Sequence, residues 1–155
     1  MQGGKMLNWQ KYLLITLSIF SLVGAIKGFL ECKNKKNTYG KAELFSLIGA
    51  FVWGDVVIFG IFWFLVSLVI LFLKNWILFL VILSLFWVVR SLGETIFWFN
   101  QQFSNKILYP PEKLHFYKVF RNDSVWFIYQ IIWQCVTVVS LLSLIYFATI
   151  WLRTN

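Results

Sequence analysis

Residues 44–73 read LFSLIGAFVWGDVVIFGIFWFLVSLVILFL, thirty positions with one ionisable side chain, Asp55. The run exceeds the roughly 18 apolar residues that mark a membrane-spanning helix. Wholly helical, it would be about 45 Å long against a hydrocarbon core of roughly 30 Å. It is therefore expected to tilt, to emerge at one end, or to break, with Gly54 as the weak point because glycine is a poor helix former. Lys74 and Asn75 follow, and residues 76–99, WILFLVILSLFWVVRSLGETIFWF, make a further apolar run. A two-residue polar break between two such runs predicts a tight antiparallel helical hairpin.

Outward from this hairpin, residues 12–30 form a first apolar run behind Lys5 and Lys11. It has the length of a spanning helix rather than the roughly 7–15 residues of a signal core, and no small-x-small cleavage pattern follows it. Gly24 and Gly28 make a G-x-x-x-G, which either lets another helix approach closely or reflects the tolerance of membrane helices for glycine. Residues 31–43 carry Lys33, Lys35, Lys36 and Lys41 with Asn37 and Gly40, and read as a loop. Residues 100–124 are the larger extramembrane stretch. There Tyr109-Pro110-Pro111-Glu112 resembles a helix start, and Leu114, Phe116, Tyr117 and Phe120 alternate with Lys113, Lys118 and Arg121. A short helix lying on the headgroups and a plain solvated loop both fit. Asp123 or Ser124 then caps a last span over 125–152.

Composition supports the same class. Of 155 residues, 60% are hydrophobic and 13% charged, and mean hydropathy is +0.76. A soluble domain would need a polar exterior that these residues cannot supply. The expected fold is a single all-α domain over 1–155, a polytopic membrane bundle of four transmembrane helices with spans near 12–30, 44–73, 76–99 and 125–152. The net charge of +8 accompanies no nucleic-acid-binding motif, so the partners expected are the lipid bilayer and anionic headgroups, with Lys113, Lys118 and Arg121 as the lipid-surface set. Loops 31–43 and 100–124, with the adjoining helix ends, hold nine Lys or Arg: Lys27, Lys33, Lys35, Lys36, Lys41, Lys106, Lys113, Lys118 and Arg121. The other side holds four, Lys5, Lys11, Lys74 and Arg153. This asymmetry puts both loops in the cytoplasm and both termini outside it.

The side chains that lipid would reject are Asp55, Arg90, Glu94, Gln130 and Gln134. Counted at about 1.5 Å per residue from the loop ends, Glu94 and Gln130 lie roughly 9 Å in, Arg90 and Gln134 roughly 15 Å, and Asp55 roughly 12–18 Å. They are expected to form one polar layer. Arg90 and Glu94 share a helix face, as do Gln130 and Gln134. Arg before Glu is the weaker order for an intrahelical pair, which directs the guanidinium towards Asp55. The layer serves either as a neutralising network that fixes helix register or as a carrier of protons, cations or anionic substrate.

Catalytic constellations are missing from the sequence. The lone His115 falls outside the spans and supports no metal centre, and no G-x-S-x-G, H-E-x-x-H or phosphate-cradling loop occurs. Cys32 and Cys135 read as separate thiols. No cofactor is implied. In size the chain resembles the small multidrug transporters, whose defining acid lies in the first helix, where this chain has only Lys27 near the end. The readings that remain are a non-enzymatic accessory or assembly component, associating with other membrane subunits or with itself, and a small oligomeric transporter or channel using the charge layer. An intramembrane enzyme is the third.

Overall fold

In the computed structural model, residues 6–36, 38–104 and 109–154 are described, the side chain of Glu43 excepted. Four helices carry the fold: α1 (Asn8–Lys35), α2 (Trp53–Leu73), α3 (Trp76–Phe103) and α4 (Ser124–Thr154). Each is long and apolar enough to cross a membrane. The protein is all-α and belongs in the bilayer as a multi-pass chain. It divides into two compact units, Met1–Leu80 with Ile150–Asn155, and Val81–Thr149.

In the first unit, α1 turns a face of small residues towards its neighbours. Leu14, Ser18, Ser21, Gly24, Ala25 and Gly28 are buried, at the three- and four-residue spacing of one helix face. The fit against α2 leaves no room for larger side chains. A Cβ on Gly60 would stand 2.7 Å from the Ser21 carbonyl oxygen and 3.0 Å from the Ala25 Cβ. A Cβ on Gly28 would meet Trp53 O, Val56 and Val57 at 3.1–3.2 Å. Small residues thus bring the two backbones together where lipid provides no hydrophobic drive between helices.

The thirty-residue run does break, five residues before Gly54. Glu43–Ile48 is a 3-10 helix that ends at Gly49, where φ is 77°. Glycine adopts this left-handed backbone without steric cost, and the chain reverses there. Residues 50–52 return to the start of α2 in a narrow hairpin tied by Ala42 N–H to Phe51 O (3.0 Å), Trp53 N–H to Gly40 O (3.1 Å) and Gly54 N–H to Thr38 O (3.0 Å). Gly54 stays helical, with Thr38 packed 3.3 Å from where its Cβ would be.

The hairpin folds back along α2, and we read it as re-entrant. At 21 residues, α2 is about 31 Å long, which matches the hydrocarbon thickness. Trp63, ten residues or about 15 Å along α2, donates its indole N–H to Ile48 O at 3.2 Å. Phe45, Ile48 and Ala50 are buried, whereas Leu44 and Leu47 are exposed. Non-helical backbone survives at this depth only when its polar groups are satisfied within protein or by water. Here the chain meets several of them itself. Phe45 N–H reaches Ala42 O, Gly49 N–H reaches Ser46 O and Ala50 N–H reaches Phe45 O, at 2.9–3.2 Å. Phe45 also occupies the notch left by Gly24, its ring 2.6 Å from where a Cβ would stand.

The α2–α3 turn is as short as its sequence. Lys74 adopts φ 53° and donates its N–H to Ile70 O at 2.8 Å. Asn75 Oδ1 accepts the Leu78 N–H at 3.0 Å, capping α3. Phe79 meets the Trp63 ring at 6.2 Å and Trp76 meets Trp9 at 5.3 Å, so aromatic contacts tie this end to both α2 and α1.

In the second unit, the segment before α4 folds as two short 3-10 helices, Pro111–Lys113 and His115–Lys118, rather than as one interfacial α-helix. Its apolar side is anchored. Tyr109, Leu114 and Tyr117 pack on a buried cluster of Trp98, Val125 and Trp126, Trp98 stacks on Tyr129 at 4.6 Å, and Trp126 donates its indole N–H to Tyr109 O at 3.0 Å. Packing of Leu114 and Tyr117 against α3 and α4 side chains competes with the continuous amphipathic helix that the alternation suggests.

Candidate functional site

The polar residues of α3 and α4 lie in the second unit. Arg90 and Glu94 pair at 2.7 Å on α3, with their side chains 16% and 15% exposed. With both side chains largely withdrawn from water, each charge gains more from an opposite charge one turn away than it loses to the unfavourable order. Gln130 Oε1 accepts from Gln102 Nε2 at 2.7 Å, and Gln102 Nε2 also lies 3.3 Å from Trp98 O. A second rung joins the same helices. Thr137 Oγ1 lies 2.8 Å from Ser91 Oγ, which donates back to Trp87 O at 2.5 Å. Ser91 is fully buried.

Gln134 differs from these. It is exposed on α4, one helical turn beyond Gln130. Asp55, in the first unit, lies in the first turn of α2, and its Oδ2 accepts the Phe51 N–H at 3.3 Å. It is two residues, about 3 Å, from the start of α2, whereas the sequence count ran through residues 44–52, which are not part of that helix.

Lys113, Lys118 and Arg121 are all exposed, opposite the side chains that anchor their segment. Lys5 and Lys106, which the charge count also uses, and the turn residue Asn37 lie outside the described residues. Gly28 packs against the first turn of α2, and Gly24 against the re-entrant hairpin.

Sequence reasoning passed over Ser91, Gln102, Thr137 and Trp63. Hydroxyls in membrane helices commonly bond to the carbonyl four residues back, as Thr95 does to Ser91 O at 2.8 Å, so they give no periodic signal. Gln102 falls just beyond the apolar run and reads as loop. The indole of Trp63 looks like filler until the re-entrant carbonyl beneath it is known.

Among the described residues, no group of three His, Cys, Asp or Glu side chains converges as a metal site. A groove of about 430 Å³ in the first unit is lined by Leu13, Thr16, Leu17, Phe20, Leu47 and Ile48, none of the five polar residues. Family models, curated proteins and solved structures yield no match to this chain.

Proposed function

We propose that this chain is a non-catalytic membrane protein that acts through helix packing, as an accessory or assembly component of a larger membrane complex. The observation that supports this reading is the Arg90–Glu94 ion pair. A carrier needs a group that loads and unloads its cargo from water. A guanidinium and a carboxylate 2.7 Å apart, both more than four-fifths buried, instead neutralise each other and hold their helix surface compatible with apolar surroundings. Gln130 with Gln102 and Thr137 with Ser91 act alike, fastening α3 to α4 by hydrogen bonds.

The re-entrant hairpin favours transport as a second reading, because irregular backbone at membrane depth also occurs where it lines a water-filled path. The burial of Phe45, Ile48 and Ala50 and the hydrogen bonds within the hairpin suit a packed wedge better. The basic side chains Lys113, Lys118 and Arg121 suit a cytoplasmic anionic leaflet, each contributing about 1 kcal/mol near the surface.

Purification from the native membrane in mild detergent, with mass spectrometry of what accompanies the chain, tests the assembly reading. A membrane protein retained at fixed stoichiometry in several detergents is expected. Recovery of the chain with no other protein in all of them would overturn it.

A further inference from the structure

The exposed face of α4 carries a polar group that the described residues leave unmet. Of its 31 residues, α4 buries Val125 and Trp126. Gln134 is exposed, about 15 Å from the start of the helix and about 30 Å from its end, well inside the hydrocarbon. Its amide offers two N–H donors and a carbonyl acceptor, and acyl chains satisfy none of them. No partner for Gln134 occurs among the described residues. At this depth its three-carbon side chain is too short to reach the headgroups.

The surroundings specify what fits there. Phe127, Ile131, Gln134, Val138, Leu141 and Ile145 recur in alternating steps of four and three, the 3.5-residue period of a left-handed helix pair. Phe127, Val138, Leu141 and Ile145 are 45–57% exposed and Ile131 is half-buried, so the seam is open over most of its length. Gln134 is the polar position among these six.

Copies of one membrane protein insert in the same orientation, so a two-fold axis along the bilayer normal sets their α4 helices parallel, with the two Gln134 residues at one depth. A glutamine both donates and accepts, so it can pair with its own copy, whereas a Lys, Glu or Arg there would repel its counterpart. We infer that two copies of this chain associate along the Phe127–Ile145 face of α4, each Gln134 amide hydrogen-bonded to the other. This goes beyond the assembly reading and stands on separate observations: that one is supported by polar pairs closed within the chain, this one by a group left open.

The full chain with Cys32→Ser and Cys135→Ser, reconstituted in vesicles at high lipid dilution, tests the inference. Oxidation should cross-link Val138→Cys, on the seam, into dimers, and should leave Ser143→Cys, off the seam, monomeric. Gln134→Leu should raise the dimer dissociation constant about three- to tenfold, the scale of one or two interhelical hydrogen bonds, with Gln134→Asn in between. Monomers throughout, cross-linking through residue 143 instead of 138, or undiminished dimerisation of Gln134→Leu would each overturn it. The purified chain contains no other subunit, so failure here leaves the assembly reading standing, and success does not depend on it.

Discussion

At the scale of single residues, Arg90 shows how apolar surroundings reverse a rule learned from exposed helices. Beside Glu94 at 2.7 Å, its charge is neutralised within one helical turn. Arg90→Leu should remove the ion-pair partner of a largely buried carboxylate, lowering stability by about 3–5 kcal/mol. Adding Glu94→Gln removes that charge and should restore most of the loss. Thermal unfolding of the two variants in detergent checks this: equal stability of Arg90→Leu and wild type would show that the pair carries no energy. The presence of these ionisable residues within apolar runs was legible in the sequence, because charge in such a run stands out. Their partners were less so. Arg90 engages Glu94 in the order that exposed helices disfavour, and Gln130 engages Gln102, which hydropathy assigns to a loop.

At the scale of elements, the four helices were legible because each is a long apolar run bounded by charged or polar residues, Lys11 and Glu31, Glu43 and Lys74, Asn75 and Asn100, Ser124 and Arg153, and lipid tolerates little else. The re-entrant hairpin was not. Hydropathy cannot distinguish thirty apolar residues in one helix from a 3-10 wedge followed by a helix, since both bury the same side chains. The deciding residues are Gly49, whose left-handed backbone turns the chain, and Trp63, whose indole meets the Ile48 carbonyl. Trp63→Phe keeps most of the ring volume and removes the donor. It should cost about 1–3 kcal/mol, the penalty of an unsatisfied buried carbonyl. It should also admit solvent to the hairpin, so amide exchange at Gly49 and Ala50 should rise well before exchange at the centre of α2. Unchanged exchange at both sites would mean that the indole does not hold the wedge. The segment 109–123 was half legible: its proline start and exposed basic residues are as read, and where the sequence left a short helix and a plain loop both open, the chain forms two 3-10 turns fastened by Trp98 and Trp126.

At the scale of the whole molecule, α1 runs on to Lys35 and α3 to Phe103, so the loops read at 31–43 and 100–124 shorten to the segments between α1 and α2 and between α3 and α4. We propose that all four helices cross the bilayer, which puts both termini on one side and these two segments on the other. From the excess of Lys and Arg in those segments we propose that they face the cytoplasm. With Cys32 and Cys135 replaced by serine, Lys35→Cys and Lys113→Cys should react with an impermeant maleimide only after permeabilisation, and Lys74→Cys should react in intact cells. Labelling of either loop in intact cells would reverse the assignment. The functional account depends on whether the buried charges ever work on a cargo. The most direct measurement is pH-dependent ion flux in proteoliposomes containing the purified chain, beside the same vesicles with Arg90→Leu/Glu94→Gln. Closed structural pairs predict no flux above empty vesicles in either sample. Flux in the wild type that disappears in the folded double variant would contradict the account.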